Sequence, residues 1–177
     1  MSDHADNVVA PDQRFAVMVR RLKEGEHRIT PQRLAILDVL AKSEAHPSAD
    51  DIFRQLADSH PTMSPATVYK TLALLKLEGE VLELEFSGLA NRYDGRKPYP
   101  HPHVICTACG LVIDPRLSGL EEITGRVMAE TGFAIATHRL DFFGLCPRCR
   151  DKVPDRRQQD NGLTPSPPQT TKEIDDE

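Results

Sequence analysis

Two pairs of cysteines, each separated by two residues, constrain this chain more than any other feature of its sequence. They are Cys106-Thr-Ala-Cys109 and Cys146-Pro-Arg-Cys149, and they contain all four cysteines of the 177 residues. Each CxxC turn can direct two thiolates toward one ion, so two turns complete the tetrahedron of a structural zinc site. The pairs lie near the start and the end of a lobe of about 45–50 residues, and a lobe of that size usually needs a metal, a disulfide or a partner subunit to be stable.

Disulfides and a redox-active pair are the alternatives to zinc. The chain begins with an acidic, polar stretch that does not resemble a secretory signal. We therefore expect a cytoplasmic protein, in a compartment where disulfides are rare. A single CxxC could be a redox pair, but two at the ends of one small lobe favour zinc. No apolar run is long enough to span a bilayer, so we expect no membrane association.

The first part of the chain has the helical spacing of a winged helix-turn-helix. Four helices are predicted from apolar periodicity and from capping residues at their starts. They cover 11–24, 31 to the break at His46-Pro47, 48–60, and 64–79. Alternating apolar residues then predict a strand at 82–86, a turn at Ser87-Gly88 and a return strand at 89–94.

A second, smaller α/β lobe follows a proline-containing linker. Short strands are predicted at 103–106 and 111–114, and the pair Ser118 and Glu121 predicts a capping box for a helix that ends near Gly132. Residues 133–145 form a long β-prone run.

Imidazole and carboxylate side chains suggest a second metal site. His101 and His103 share one face of an extended segment, and His46, Asp94 and Asp114 lie at breaks or element ends. Three nitrogens and two carboxylates suit Fe(II) or Mn(II) better than a thiolate site does. Spacing alone leaves simpler roles open, namely turn residues for His46 and Asp114 and a solvated HxH pair.

The net charge of −5 at first argues against a nucleic-acid binder. However, residues 151–177 carry −3 of it, and their composition predicts a disordered acidic tail. The segment from Arg20 to Arg33 has a local charge of +3, and we expect Arg28 and Arg33 within it to contact DNA. The exposed side of the fourth helix offers Thr67, Tyr69 and Lys70, which could enter a major groove. A solvated helix face or a protein-binding surface is the alternative.

The order of these motifs resembles the ferric uptake regulator family of metal-dependent repressors, from about residue 15 to residue 153. The motifs that carry the resemblance are Arg28-Ile-Thr-Pro-Gln-Arg33, His46-Pro-Ser-Ala-Asp-Asp51, Ser64-Pro-Ala-Thr-Val-Tyr69, Asn91-Arg-Tyr-Asp94, His101-Pro-His103-Val-Ile-Cys106-Thr-Ala-Cys109-Gly110 and Cys146-Pro-Arg-Cys149. The resemblance implies an α+β fold, with an N-terminal winged helix-turn-helix and a small C-terminal α/β dimerisation lobe. It also implies a homodimer on palindromic double-stranded DNA operators.

The resemblance also implies domain limits and residue roles. The winged-helix DNA-binding domain would span 1–94, the linker 95–102 and the dimerisation and metal-binding domain 103–150, before the tail. Structural zinc would bind Cys106, Cys109, Cys146 and Cys149, and regulatory Fe(II) or Mn(II) would bind His46, Asp94, His101, His103 and Asp114. Bases would be contacted near Tyr69 and Lys70, and the minor groove near Arg28.

At Asp114 the chain resembles the peroxide-responsive branch of the family, because iron-sensing members often carry Glu at this position. In that branch peroxide oxidises a histidine ligand of bound Fe(II), for which His46 and His101 are the candidates. A second regulatory site of some iron sensors would retain only Glu121 and His138 here. The linker is one residue longer and richer in proline than in typical peroxide sensors.

The sequence therefore predicts a metal-dependent, peroxide-sensing repressor and no enzyme. The alternatives are a reversible Fe(II)-sensing iron-uptake repressor, a non-haem Fe(II) oxygenase and a zinc-stabilised protein-interaction module.

Overall fold

The computed structural model describes residues 9–86 and 90–152. Within these residues, four helices precede four strands, and a helix, a strand and a short helix follow: α1 (Pro11–Glu24), α2 (Pro31–Lys42), α3 (Ala49–Leu56), α4 (Pro65–Leu77), β1 (Leu82–Leu84), β2 (Arg92–Asp94), β3 (His103–Cys106), β4 (Val112–Ile113), α5 (Leu120–Thr131), β5 (Asp141–Gly144) and α6 (Pro147–Arg150). The predicted turn at Ser87-Gly88 and residues 153–177 of the predicted tail lie outside the described residues.

Side-chain caps determine where α2, α3 and α4 begin. Thr30 and Ser64 each accept a hydrogen bond from the backbone N–H three residues later, at 3.2 Å in both cases. Ser48 and Asp51 form the predicted capping box, with reciprocal bonds of 3.1 and 3.0 Å. Each cap satisfies a backbone donor that the helix itself leaves unpaired. The predicted starts of these three helices are confirmed.

The main core lies among the first four helices and is closed by the β1–β2 hairpin. Its largest fully buried side chains come from every helix of this lobe: Met18, Leu22, Ile36, Leu37, Leu40, Ile52, Val68, Leu72 and Leu75. Tyr93 of β2 packs against this cluster. A smaller cluster of Leu84, Ile105 and Val112 joins the hairpin to the second sheet.

Two sheets follow the helices. The hairpin is antiparallel, with Leu82 opposite Asp94. The second sheet has the order β4-β3-β5, in which β3 is antiparallel to β4 and parallel to β5. In the parallel pair His103 lies opposite Asp141 and Cys106 lies opposite Gly144. β2 ends at Asp94 and β3 begins at His103, where the limits of the linker are predicted, but the division into domains stays a prediction.

Three sequence predictions are wrong in detail. The third helix ends at Leu56 rather than at His60. The capping box at Ser118 does not form, because Gly119 takes a left-handed φ of 85° and is itself the N-cap of α5, without a side-chain cap. Of the β-prone run 133–145, only 141–144 is a strand. Residues 133–139 are mostly exposed and have no neighbouring strand among the described residues, so their backbone has no sheet to join.

No helix within the described ranges is both long and apolar enough to cross a bilayer.

A buried arginine fastens α1 to the rest of the N-terminal lobe. Arg14 donates to the Glu80 carboxylate at 2.5 Å, to the Glu80 backbone carbonyl at 2.6 Å and to the Gly95 carbonyl at 2.6 Å. The two side chains are only 5% and 7% exposed. This network also fixes the chain directly after Asp94.

We predict that Arg14→Met lowers the free energy of unfolding by about 3 kcal/mol, the low end of the range for breaking a buried ion pair, because Glu80 keeps only the partly exposed Arg21, whose Nε lies 3.4 Å from its carboxylate. Urea unfolding at fixed protein concentration measures this loss. Arg20→Met is the matched control, since Arg20 pairs with Glu24 on the surface, where such pairs contribute about 0–1 kcal/mol. Equal losses in the two variants would contradict the prediction, and adding Glu80→Gln to Arg14→Met should restore part of the stability.

Candidate metal centres

The parallel pairing of β3 with β5 positions two clusters of metal-binding side chains. Parallel strands end at the same edge of a sheet, so Cys106, at the end of β3, lies beside the segment that continues from β5 into Cys146. The Thr107 N–H donates to the Gly144 carbonyl at 2.8 Å and extends this alignment. His103, at the other end of β3, belongs to the second cluster.

The four cysteines converge as a tetrahedral zinc site requires. Their Sγ atoms all lie within 4.8 Å of one another, and those of Cys109 and Cys146 are 3.8 Å apart. Zn–S bonds of ~2.3 Å in a tetrahedron place sulfurs ~3.8 Å apart. A disulfide would need ~2.05 Å, and all four cysteines are free. The donor set therefore fits zinc and not a disulfide framework.

The electrostatics of the metal-free thiols also favour a cation. Backbone hydrogen bonds from Cys146 and Cys109 lower the pKa of the Cys106 thiol to about 6. Hydrogen bonds with the Cys146 and Cys109 side chains instead raise the pKa of Cys149 to about 12. One thiolate therefore forms readily while its neighbour stays protonated, and a divalent cation removes this conflict by neutralising both charges.

The second cluster brings the five predicted nitrogen and oxygen donors together. One atom from each of His46, Asp94, His101, His103 and Asp114 lies within 4.8 Å of all the others. The His46 Nε2 atom is 3.0 Å from an Asp114 oxygen and 3.2 Å from an Asp94 oxygen. The His101 Nε2 atom lies 3.2 Å from an Asp94 oxygen and 3.3 Å from an Asp114 oxygen. His103 Nε2 lies 3.9 Å from Asp114.

These donors come from both sides of the linker. His46 lies between α2 and α3, in a left-handed conformation with φ 48° that is uncommon for a residue other than glycine. The Tyr93 N–H donates to the Pro47 carbonyl at 3.0 Å and so ties this loop to β2, which ends at Asp94. Backbone contacts therefore hold His46 and Asp94 as one unit of the N-terminal lobe.

Buried polar atoms show that a cation fits the cluster. Among the described residues, both ring nitrogens of His46 and His103, His101 Nε2 and Asp114 Oδ1 are buried without a hydrogen-bond partner. The side chains of His46, His103 and Asp94 are only 3%, 1% and 4% exposed. Burying unpaired polar atoms is costly, and coordination to a divalent cation would satisfy one atom of each of these residues.

The pKa values of the metal-free cluster reflect its burial and the closeness of its charged groups. Burial lowers the pKa of His46 and His101, but the Asp114 and Asp94 carboxylates outweigh it and raise both to about 9. Burial likewise raises the pKa of the two carboxyl groups, yet the histidines hold both well below their usual range. Burial, with the charges of His101 and His46, lowers the pKa of His103 to about 4. Protons on two histidines thus occupy the place that a metal ion would take.

Outer contacts orient two of the donors. The Asp94 Oδ1 atom accepts backbone N–H bonds from Arg96 at 2.7 Å and Lys97 at 2.9 Å, which leaves Oδ2 facing the histidines. The His101 Nδ1–H group donates to the Tyr99 carbonyl at 2.8 Å, so the lone pair of Nε2 faces the cluster. Such contacts fix the tautomer and direction of a metal ligand.

The predicted DNA-contacting residues differ in exposure. Tyr69 is 51% exposed, and Lys70 beside it on α4 is also exposed. The Thr67 hydroxyl instead lies 2.9 Å from the N-cap hydroxyl of α4 and is half-buried. Arg28 is exposed, whereas Arg33 is half-buried and donates to the Arg28 carbonyl at 2.5 Å. Tyr69, Lys70 and Arg28 therefore offer the accessible side chains of this set.

One residue beside the second cluster was not predicted. Asp141 lies with its Oδ1 atom 3.4 Å from His103 Nδ1. It stands within a β-prone run, and no spacing rule connects it to His103, since parallel pairing alone brings the two together.

His138 is exposed and lies outside both clusters, and it is not in the strand predicted for residues 133–145. The Glu121 side chain lies outside the described part, so a second regulatory site stays untested.

Comparisons with known proteins support one relationship. The family model described as "Ferric uptake regulator family" matches residues 24–143. The "Peroxide operon regulator" of Bacillus subtilis (strain 168) is 43% identical over 131 residues, which cover 74% of this chain and 90% of that protein.

Solved structures agree in fold. The ferric uptake regulator of Helicobacter pylori gives a TM-score of 0.71 at 23% identity and covers 82% of this chain and 97% of its own. The manganese-containing ferric uptake regulator of Pseudomonas aeruginosa gives a TM-score of 0.63 at 25% identity and covers 74% of this chain and 98% of its own. The α+β fold class predicted from the sequence is confirmed, and the chain belongs to the ferric uptake regulator family.

Proposed function

We propose that this chain is a metal-dependent DNA-binding repressor that responds to peroxide and acts as a cytoplasmic homodimer on a double-stranded DNA operator. The observation that carries the proposal is the five-donor cluster, since His46 and Asp94 belong to the lobe that bears α4, whereas His101, His103 and Asp114 follow it. The similarity to a peroxide operon regulator supports the same function.

The two clusters would hold different metals. Cys106, Cys109, Cys146 and Cys149 form a closed sulfur set with no open position, which suits a structural zinc ion. The mixed imidazole and carboxylate set suits Fe(II) or Mn(II) as the regulatory ion. When bound, Fe(II) supplies the electrons that reduce peroxide, whereas Mn(II) supports repression without that chemistry.

The chain's own residues would couple metal occupancy to DNA binding. Without a cation, the buried Asp94 and the half-buried Asp114 bring two carboxylates close together, and His46 and His101 compensate for them only while protonated, below their pKa of about 9. A shared cation favours the closed arrangement and so fixes the angle between the two lobes. In a dimer, one such angle spaces the recognition helices for successive half-sites.

Exposed apolar side chains support dimerisation through the second lobe. Ile123, Val127 and Met128 are 56%, 42% and 41% exposed on α5, and Phe142 and Phe143 are 44% and 61% exposed on β5. Exposed apolar side chains are typical of protein–protein interfaces. A second copy of the lobe would remove such side chains from water.

Peroxide would act by changing a donor. His46 and His101 each contact both carboxylates of the cluster, so oxidation of either ring weakens the contacts that hold the two lobes together. Because each event consumes a protein side chain, the chain acts as a sensor and not as an enzyme that turns over. Five crowded donors also leave little room for a substrate.

We predict that His46→Ala removes metal-dependent DNA binding. The probe is a duplex selected by the wild-type protein with Mn(II) from a random pool, titrated with Mn(II) in a gel-shift assay. Loss of an outer partner of a metal ligand already costs about 10–100-fold in affinity, so loss of the ligand should require at least that much more Mn(II). His60→Ala, outside the cluster, serves as the control. Unchanged Mn(II) dependence in His46→Ala would refute the proposed coupling.

We predict that Lys70→Ala weakens binding to that duplex. The slope of the logarithm of affinity against the logarithm of salt concentration should fall in magnitude by about one, as expected for loss of one phosphate contact. Lys152→Ala, at an exposed lysine just after the second lobe, should leave the slope unchanged. The measurement is fluorescence anisotropy at several salt concentrations with saturating Mn(II). Equal slopes for wild type and Lys70→Ala would exclude Lys70 from the interface.

We predict that hydrogen peroxide adds the mass of one oxygen atom to a peptide containing His46 or His101 in Fe(II)-loaded protein, with loss of duplex binding. Peptide mass spectrometry detects the change, and Mn(II)-loaded protein should show neither effect. Binding that Fe(II) controls reversibly, with no added oxygen on either histidine, would instead identify an iron-uptake repressor. Absence of duplex binding at every metal concentration would favour a protein-interaction module.

A further inference from the structure

We infer that Asp141 is a positioning residue that determines which ring nitrogen of His103 faces the regulatory metal, and this inference rests on the metal site proposed above. Asp141 begins β5 and lies directly opposite His103, the first residue of β3, in the parallel register. Its Oδ1 atom is 3.4 Å from His103 Nδ1. The opposite ring nitrogen, Nε2, lies 3.9 Å from Asp114 and faces the cluster.

The pair is enclosed. The side chains of His103 and Asp141 are 1% and 8% exposed. His103 Nδ1 and Asp141 Oδ1 are both buried, have no hydrogen-bond partner among the described residues and lie 3.4 Å apart. With its proton on Nδ1 and directed at the carboxylate, His103 keeps a lone pair on Nε2. That is the tautomer required for coordination through Nε2.

A second contact fixes the carboxylate from its other side. Arg139 Nε donates to Asp141 Oδ2 at 2.5 Å. The same guanidinium donates through Nη2 to the Glu85 backbone carbonyl, just beyond β1, at 2.9 Å. Asp141 thus lies between two donors, Arg139 and His103 Nδ1–H, and an ionised carboxylate can accept from both.

An asparagine at this position has nearly the same shape but only one acceptor. Because Arg139 can only donate, it would take the amide carbonyl and turn the amide NH₂ toward His103. His103 Nδ1 would then have to accept, and the ring proton would move to Nε2, where it blocks coordination. The effect follows from hydrogen-bond polarity and leaves the volume at the site unchanged.

The test compares Asp141→Asn with wild type in the zinc-loaded, full-length protein. We expect calorimetric Mn(II) titration to show about 10–100-fold weaker binding, the cost typical of a lost outer contact to a metal ligand, with zinc content unchanged. Asp58→Asn, an exposed aspartate in the N-terminal lobe, is the matched control and should bind like wild type. Mn(II) affinity equal to wild type in Asp141→Asn would overturn the inference.

A double variant separates hydrogen-bond polarity from general damage. In Arg139→Ala/Asp141→Asn the amide is free to turn its carbonyl toward His103, so Mn(II) affinity should rise above that of Asp141→Asn alone. A double variant that binds Mn(II) no better than the single variant would count against the inference.

Histidine ¹⁵N spectra of the protein without Mn(II) provide a readout independent of the regulatory metal. Wild type should show His103 with its proton on Nδ1, and Asp141→Asn should show it on Nε2. The same tautomer in both would refute the role of Asp141. If wild type binds no Mn(II) at all, the proposed function fails, while the tautomer comparison still decides the role of Asp141.

Discussion

The parallel pairing of β3 with β5 is the constraint on which the rest of the second lobe depends. It places Cys106 beside the approach to Cys146 at one end of the sheet, and His103 beside Asp141 at the other. The buried apolar cluster around this sheet consists of only Leu84, Ile105 and Val112 among the described residues. A core that small contributes little hydrophobic stabilisation. Four thiolates on one zinc ion would therefore supply the cross-link that keeps the two strands aligned and the second cluster formed.

Crowded, buried charge explains how the second cluster could act as a switch. Its donors belong to segments on both sides of the linker, and several of their polar atoms are buried without a hydrogen-bond partner. Near neutral pH, protons on His46 and His101 balance the two carboxylates, and a divalent cation would replace those protons. Metal binding and the relative position of the lobes are then linked by one free energy, so a chemical change in a single imidazole alters both.

The net negative charge of the chain bears on how it would bind DNA. Of the net charge of −5, the part carried by residues 151–177 lies in the predicted tail, and a bound divalent ion would offset Asp94 and Asp114. Tyr69 and Lys70 provide an exposed helix face without a broad basic surface. We therefore expect weak non-specific binding to DNA, with affinity that depends on the metal and on half-site spacing.

The sequence by itself determined what is local: the helix starts at Thr30, Ser48 and Ser64, and the two CxxC turns, because a cap or a turn involves neighbouring residues only. For His46, Asp94 and Asp114 it supplied the chemistry and suggested a five-donor set, but not the proximity, and the family resemblance strengthened that grouping. Tertiary structure alone decided the contact of Asp141 with His103 and the absence of strand across 133–139. Both depend on which strand lies alongside, and pairing between residues far apart in the chain leaves no periodic signal in either segment.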